Sequence, residues 1–314
     1  MKGTSKLLVV AGASVWIAGC GGGGGGAGSG ATDPSGPTEP ATGILNIALT
    51  DAPVDDVTVV NVQFTGVTLK PASGDENQIV FDAPKDFDLL TLTGGLTAEL
   101  LSDTEVPVGR YNWVRLAVNA EFDNVSDSYA MKSTGEQIEL RVPGGSQSGL
   151  KLVSGFTVTE DQSTHLVIDW DLRKALSDPL GQPGYHLRPA LRVTDMALFG
   201  TLSGTVAEAL VTDASCTNDL VAQTGNAVYI YNDMTDMPGD IGDAVNDPFT
   251  TATVTQDGAG VYTYEIIFLS VGTYTAAFTC QANDDVSDMD DDDIAFSPLQ
   301  SFAIEDGVTT ILDF

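Results

Sequence analysis

Apolar and polar side chains alternate along many short segments of this chain, and this period of two limits its fold more than any other feature. The clearest case is "VTVVNVQFTGVTLK" at Val57 to Lys70, which is rich in β-branched residues. Similar segments recur throughout, separated by turn clusters such as "PASGDEN". Because alternating side chains lie on opposite faces of a strand, the pattern predicts short strands joined by turns. We therefore predict an all-β fold of two β-sandwich domains.

The organisation of the folded part follows from breaks in this pattern. Two short helices are expected among the strands, one near "GLTAELLSD" at residues 95–103 and one at "DLRKALSD" at residues 171–178. The boundary between the sandwiches falls near Leu198 to Thr201. The predicted domains are therefore residues 43–197 and residues 198–314.

The start of the chain has the features of an export signal. Two lysines precede "LLVVAGASVWIAG", which is shorter than the roughly 20 apolar residues that span a bilayer. The run ends in "IAGC", which resembles the bacterial lipobox of a branched aliphatic residue, two small residues and a cysteine. The resemblance implies that residues 1–19 are a lipoprotein signal peptide and that Cys20 carries a diacyl lipid. An ordinary signal peptide with an incidental cysteine is the alternative.

Residues 20–42 have the composition of a flexible linker. Six consecutive glycines follow Cys20, and Gly, Ser and Pro dominate the rest. Such a segment has too little apolar surface to fold and behaves as a tether.

The residue after Cys20 indicates the target membrane. Position 21 is Gly21, whereas an Asp there would resemble an inner-membrane retention signal. We therefore expect a lipid anchor in the bacterial cell envelope, at the outer membrane.

Charge is distributed very unevenly along the chain. The sequence has 44 Asp and Glu against 13 Lys and Arg, for a formal net charge of −31. Residues 197–314 contain 20 Asp and Glu but no Lys, Arg or His. This part can form no salt bridge within itself, so we expect salt or divalent cations to stabilise it. A solvated acidic surface is the alternative, and nucleic-acid binding is disfavoured because it requires a basic surface.

The three cysteines divide into one lipid site and one pair. With Cys20 assigned to the anchor, Cys216 and Cys280 remain as an even pair in an exported chain. A disulfide between them is therefore predicted. A metal site built on these two cysteines is disfavoured because the second predicted domain has no histidine and no third thiol.

The acidic run "DDVSDMDDDD" holds the candidate metal ligands. Asp288, Asp290 and Asp292 have the Asp-x-Asp-x-Asp spacing of a calcium loop. In an EF-hand that starts at Asp288, however, position six needs Gly and is Asp293, and position twelve needs Glu and is Leu299. An EF-hand is excluded, and a looser calcium site is the hypothesis, with an acidic surface loop as the alternative. The candidate ligands are Asp284, Asp285, Asp288, Asp290 and Asp292.

Candidate catalytic groups are few. Asp169 and Asp171 flank Trp170 on one predicted strand face, about 7 Å apart, a separation compatible with glycoside hydrolysis. Strand alternation favours a simpler interpretation, a solvent face opposite a buried Trp170. The two histidines, His165 and His186, lack metal-binding spacing and are interpreted as unrelated surface or edge residues. No Gly-x-Ser-x-Gly motif for nucleophilic catalysis occurs. Since each candidate group has a simpler interpretation, we predict that the protein is not an enzyme.

Longer motifs carry two family resemblances. Residues 43–196 resemble bacterial lipoproteins with the domain of unknown function 4382, through "LTDAPVDDVTVVNVQFTGVTL", "VPVGRYNWVRLAV", "VIDWDLRKAL" and "YHLRPALRV". This resemblance implies a β-sandwich-like export domain with no established activity. Residues 198–314 are similar to carboxypeptidase regulatory-like or transthyretin-like modules, through "SGTV", "AVYIY" and "LSVGTYTAAF". Such modules are structural or binding appendages.

The sequence as a whole predicts a non-enzymatic, lipid-anchored envelope protein with a structural or binding role. Its expected partners are the membrane, through the lipid, and an envelope polysaccharide or protein. A calcium-dependent adhesive or carbohydrate-binding module is one alternative, with calcium as its cofactor. A glycan hydrolase that uses Asp169 and Asp171 is the second.

Overall fold

A computed structural model describes residues 40–52, 57–143, 149–179, 184–232, 235–287, 289 and 292–314. Within these ranges strands dominate, and the helices are single short turns. The predicted all-β class is therefore confirmed.

The described residues of the first half, within residues 42–195, form thirteen strands. They are β1 (Thr42–Ala52), β2 (Val57–Pro71), β3 (Asn77–Asp88), β4 (Ala98–Pro107), β5 (Gly109–Val118), β6 (Tyr129–Lys132), β7 (Gln137–Arg141), β8 (Leu150–Leu152), β9 (Phe156–Val158), β10 (Ser163–Asp171), β11 (Leu176–Ser177), β12 (Tyr185–Leu187) and β13 (Leu191–Asp195). A 3-10 helix spans Leu89–Leu92, and helix α1 spans Leu172–Ala175.

These strands form two sheets. Sheet 1 has four strands in the order β13-β10-β1-β4, with β1 and β10 parallel. Sheet 2 has nine strands, in the order β11-β12-β7-β6-β2-β5-β8, with β3 paired to β2 and β9 paired to β5. The inward faces of both sheets supply one apolar core, which identifies the first half as a sandwich of two sheets.

Large side chains from both sheets meet in this core. Phe64 of β2 lies 5.9 Å from Trp170 of β10 and 5.8 Å from Phe87 of β3, measured between ring centroids. Phe64 and Trp170 are fully buried. Burial of each such side chain stabilises the fold by about 1.5–3 kcal/mol, which makes this contact a principal link between the sheets.

The second half spans residues 199–311, and the part of it that the structure describes forms eight strands and helix α2 (Glu208–Val211). The strands are β14 (Phe199–Val206), β15 (Ala227–Asn232), β16 (Thr250–Thr253), β17 (Thr255–Gln256), β18 (Tyr262–Ser270), β19 (Gly272–Thr279), β20 (Gln300–Ile304) and β21 (Thr309–Ile311). Sheet 3 has the order β17-β18-β14-β21, and sheet 4 has the order β16-β15-β19-β20. Their main apolar cluster contains no residue of the first half, and the boundary predicted at residues 197 and 198 lies between the two cores.

The predicted cystine is present in the second half. Cys216 and Cys280 form a disulfide across 64 positions of sequence. Closing a loop of this length restricts the unfolded chain and stabilises the fold by up to about 4 kcal/mol in the chain-entropy model. This covalent link offsets part of the repulsion among the carboxylates of the acidic half.

One of the two predicted helices is wrong and the other is confirmed. In "GLTAELLSD", residues 98–103 belong to strand β4, where Leu101 pairs with Ile47 of β1. Leu100 and Leu101 are both buried, so pairing and burial override the weak helical preference of Ala, Glu and Leu. In "DLRKALSD", the side chain of Asp171 caps helix α1 by accepting a hydrogen bond from the backbone of Lys174.

No helix within the described ranges is long and apolar enough to cross a bilayer.

Candidate functional site

The outer face of sheet 1 is covered by the second half of the chain. Strand β10 is buried on both faces from Leu166 to Asp171. Trp170 is buried in the core as predicted, but Asp169 and Asp171 are only 4% and 5% exposed. The predicted solvent face is therefore wrong, because strand alternation identifies the two faces of a strand but not what covers each of them.

Asp169 is held by an arginine that also contacts the second half. The Nε atom of Arg192, on the neighbouring strand β13, donates to Oδ2 of Asp169 at 2.5 Å. The two Nη atoms of Arg192 donate to the carbonyls of Phe268 and Ile267 on β18, at 3.0 and 3.1 Å. Burial raises the pKa of Asp169, and the Arg192 guanidinium opposes that rise. One guanidinium thus compensates a buried carboxylate and joins sheet 1 to sheet 3.

Asp171 makes a second contact between the halves. Its Oδ2 accepts hydrogen bonds from the backbone N–H of Thr251, at 2.8 Å, and from the Thr251 hydroxyl, at 3.1 Å. Its Oδ1 accepts the helix-capping hydrogen bond from Lys174. Asp169 and Asp171 are therefore occupied by structural hydrogen bonds, and this geometry gives no support to the hydrolase hypothesis.

The other three cations between residues 173 and 192 also reach the second half. Arg173 donates to the carbonyl of Ala282 at 3.2 Å, and Arg188 donates to the carbonyl of Ser287 at 2.7 Å. Lys174 forms an ion pair with Asp247, also at 2.7 Å. The second half, which has no cation of its own in residues 197–314, is thus bound by four cations of the first half. The contacts of these four cations, together with those of Asp171, are here called the junction.

A cavity of about 380 Å³ lies at this junction. Charged residues of both signs line it, among them Lys174, Arg188, Arg192, Asp169 and Asp247. All five are bonded to protein atoms in the contacts described above, so the cavity presents little unengaged charge.

A cluster of three carboxylates lies within the second half. Asp240, Asp285 and Asp292 each place one oxygen within 4.8 Å of the others. Asp240 follows β15 in the chain, whereas Asp285 and Asp292 lie between β19 and β20. Oxygen ligands of this kind suit calcium, so the group, here called the carboxylate cluster, is the candidate metal centre.

Local hydrogen bonds fix the positions of these carboxylates. The hydroxyl of Tyr229 and the backbone N–H of Ile241 both donate to Asp285. The backbone N–H of Asp292 donates to Asp240 at 2.6 Å, which joins the two acidic loops. Burial raises the pKa of Asp240 and raises that of Asp285 to about 6, so both retain protons at higher pH than ordinary carboxyls.

The sequence identified part of this cluster. Asp285 and Asp292 were among the predicted ligands, whereas Asp284 lies outside the cluster. Asp288 and Asp290, like Cys20, lie outside the described residues. Asp240 was missed because it lies in a different acidic loop, "NDMTDMPGDIGDAVNDPF", and its acidity was the only signal available.

The two histidines occupy different sheets. His165 is exposed on β10 of sheet 1, and His186 is partly buried on β12 of sheet 2. Burial lowers the pKa of His186, and the neighbouring Arg141 and Arg188 lower it further. Neither histidine belongs to the carboxylate cluster.

The raised pKa of Asp285 gives a testable pH dependence. An unfolded aspartate titrates near 3.9 and folded Asp285 at about 6, so the folded state binds more protons between these values. In calcium-free buffer, this group's contribution to the free energy of unfolding should fall as pH rises from about 4 to about 6. Denaturant unfolding of Asp285→Asn should show a flatter pH dependence in that window. Asp284→Asn is the matched control, and an unchanged slope in Asp285→Asn would contradict the assignment.

Comparisons with known proteins add limited information. No curated protein matches the sequence. The Bacillus anthracis TIE protein is 12% identical with a TM-score of 0.18, and the alignment covers 87% of this chain but 34% of that one. GBS52, the minor pilin of Streptococcus agalactiae, is 10% identical with a TM-score of 0.19, covering 86% and 94% of the two chains. The major pilin of Streptococcus pyogenes is 12% identical with a TM-score of 0.17, covering 88% and 100%. Likenesses this distant carry no inference about function.

The family comparison is more specific. The resemblance of the first half to the domain of unknown function 4382 is confirmed. The lipoprotein character that this resemblance implied stays a prediction, as does the resemblance of residues 198–314 to regulatory-like modules. Residues 42–189 match the model of one family, the domain of unknown function DUF4382.

Proposed function

We propose that this chain is a non-catalytic, lipid-anchored protein of the bacterial cell envelope, with a structural or binding role at the outer membrane. The observation that carries the proposal is the assignment of the cysteines. Cys216 and Cys280 pair with each other, so Cys20 is the one cysteine of three left for lipidation, and it ends the apolar run "VWIAGC". Disulfides persist in oxidising compartments, which supports an exported location.

The proposed arrangement is a two-part β unit on a tether. After removal of residues 1–19, residues 20–42 link the lipid to two sandwiches at residues 43–197 and 198–314. A Gly-rich tether of this length has a typical span of about 25 Å. The hydrogen bonds and ion pair of the junction hold the sandwiches together, so the unit presents fixed surfaces close to a membrane.

The non-catalytic role is supported by the state of the paired carboxylates. Asp169 and Asp171 are buried and bonded to Arg192 and Thr251, so neither is available as an acid or base toward a glycan. Their contacts instead join the two halves of the molecule.

The anchor can be tested through Cys20. The wild-type protein, purified from a bacterial host, should partition into detergent and carry a thioether-linked diacylglycerol on Cys20 by mass spectrometry. Cys20→Ser should shift the protein from the membrane fraction to the soluble fraction. The double variant Cys216→Ser/Cys280→Ser should stay in the membrane fraction as a control. An unmodified Cys20 thiol, with no detergent partitioning, would contradict the proposal.

A calcium-dependent adhesive or carbohydrate-binding module is the second candidate function. The convergence of Asp240, Asp285 and Asp292 favours it, because each offers an oxygen within 4.8 Å of the others. A bound divalent cation would relieve repulsion among carboxylates in a half that contains no Lys, Arg or His.

Calcium titration tests this second candidate. Binding to the folded state alone should stabilise the full chain by about 2.7 kcal/mol when calcium is one hundred times its Kd, seen as a higher Tm. Sodium chloride at matched ionic strength separates general screening from binding. Asp240→Asn should abolish the calcium-specific gain, whereas Asp236→Asn, an exposed neighbour in the same loop, should keep it. Equal gains from calcium and sodium chloride would eliminate the site.

A further inference from the structure

We infer that the outer face of sheet 2 carries a binding site for an anionic glycan, centred on Trp113. The site consists of Lys70, Trp113, Arg115 and Lys151, here called the Trp113 patch. The inference rests on the proposed function only in placing this face outside the cytoplasm, where glycans are encountered.

Strand register brings these four residues together. Trp113 of β5 lies opposite Lys70 of β2, and Arg115 of β5 lies opposite Lys151 of β8. Trp113 and Arg115 are two positions apart on one strand, so their side chains share a face. Their neighbour Val114 is fully buried in the core. The Trp113 patch therefore lies on the face of sheet 2 that points away from the core.

The indole ring holds two like charges close together. The Arg115 guanidinium lies 4.7 Å from the Trp113 ring centroid, and the Lys151 ammonium lies 4.5 Å from it. Like charges directly opposite each other on paired strands are destabilising. The face of an aromatic ring attracts each cation electrostatically. The ring thus compensates for an arrangement that sheet stability alone would disfavour.

Among the described residues, the cations of the Trp113 patch have one contact with a carboxylate, although the chain has 44 Asp and Glu against 13 Lys and Arg. Glu76 lies 4.0 Å from Arg115, at the outer limit of an ion pair, and both side chains are partly solvent-exposed. Lys70 donates to the backbone carbonyl of Gly74 at 3.0 Å rather than to a carboxylate. Among the described residues, Lys151 has no ion-pair partner. This part of an acidic surface therefore attracts an external anion.

The exposure of the patch permits access to a ligand. Lys151 is exposed, and Trp113 and Arg115 are partly exposed. The flexible stem of Lys151 lets its ammonium move from the ring to an anionic group while the indole receives an apolar surface. The patch therefore offers an aromatic plane and mobile positive charge on a flat sheet surface.

This combination fits an anionic glycan better than other polyanions. A pyranose ring presents an apolar face to an indole, and a carboxylate or sulfate on the same sugar reaches a neighbouring cation. A nucleic acid carries a denser line of charge that extends well beyond the patch. It would meet the acidic remainder of a protein whose net charge is −31. We therefore favour a chain in which single anionic groups alternate with uncharged sugar surface.

Two matched pairs of probes test the inference. Oligogalacturonate is compared with its methyl ester, and dextran sulfate with dextran, by calorimetric titration of the purified full chain. At least one charged member should bind saturably, and its uncharged counterpart should not. Affinity should fall as salt rises. Tryptophan fluorescence of the mature chain, which lacks Trp16 of the predicted signal peptide, should change on binding, since Trp170 is fully buried and Trp113 is partly exposed.

Variants locate the site on the protein. The double variant Arg115→Gln/Lys151→Gln should weaken binding about tenfold, as two exposed cation contacts of this kind would. Trp113→Phe should weaken binding and remove the fluorescence change. Lys132→Gln is the matched control, because Lys132 also lies over an aromatic ring in sheet 2, that of Tyr185, but does not belong to the Trp113 patch. Thermal unfolding confirms that each variant is folded.

Several outcomes would overturn the inference. One is that neither charged glycan binds, and another is that the uncharged counterparts bind as tightly as the charged glycans. A third is that Lys132→Gln loses as much affinity as Arg115→Gln/Lys151→Gln. Tighter binding of polyglutamate or single-stranded DNA of matched length would assign the patch to another class of polyanion. None of these results bears on the lipid of Cys20, so failure here is separable from failure of the proposed anchor.

Discussion

The guanidinium of Arg192 is the contact on which the arrangement of the two halves depends. It neutralises Asp169, which is buried, and donates to two carbonyls of β18 in the other half. Removing one member of a buried ion pair commonly costs about 3–5 kcal/mol, because the remaining charge has no compensation. Residues 197–314 contain no Lys, Arg or His, so any cation that serves them must come from elsewhere. The junction supplies that charge from the first half.

Two groups of cations in this chain have distinct placements. Arg173, Lys174, Arg188 and Arg192 bond mostly to backbone carbonyls at the junction, where they fix the relative position of the sheets. The cations of the Trp113 patch lie on the opposite side of the first sandwich, on sheet 2, around one indole ring. The first group has a structural role, and the second remains available to solvent. Of the 13 Lys and Arg in the chain, four thus lie at the junction and three lie in the Trp113 patch.

The local sequence pattern predicted those features that residues close together in the sequence determine. Alternation identified β1 and β2 almost to the residue, and the even pair of cysteines identified the disulfide. The errors came from contacts distant in sequence. The segment at residues 98–103 is a strand because β1 pairs with it, and Asp169 is buried because the second half covers sheet 1. Asp240 joins Asp285 and Asp292 only through the meeting of two loops. Periodicity carries no information about which surfaces meet.

Native-state hydrogen exchange of the full chain tests the central claim most directly. In Arg192→Gln, buried Asp169 loses the guanidinium that compensates it, and the carbonyls of Ile267 and Phe268 on β18 each lose one donor, so amide protection should fall in β13 and equally in β18 (Tyr262–Ser270). The expected loss is about 3–5 kcal/mol of protection in both strands, with Lys132→Gln unchanged. Full protection of β18 in Arg192→Gln would show that the acidic half holds its structure without the cations of its neighbour, and would contradict this account.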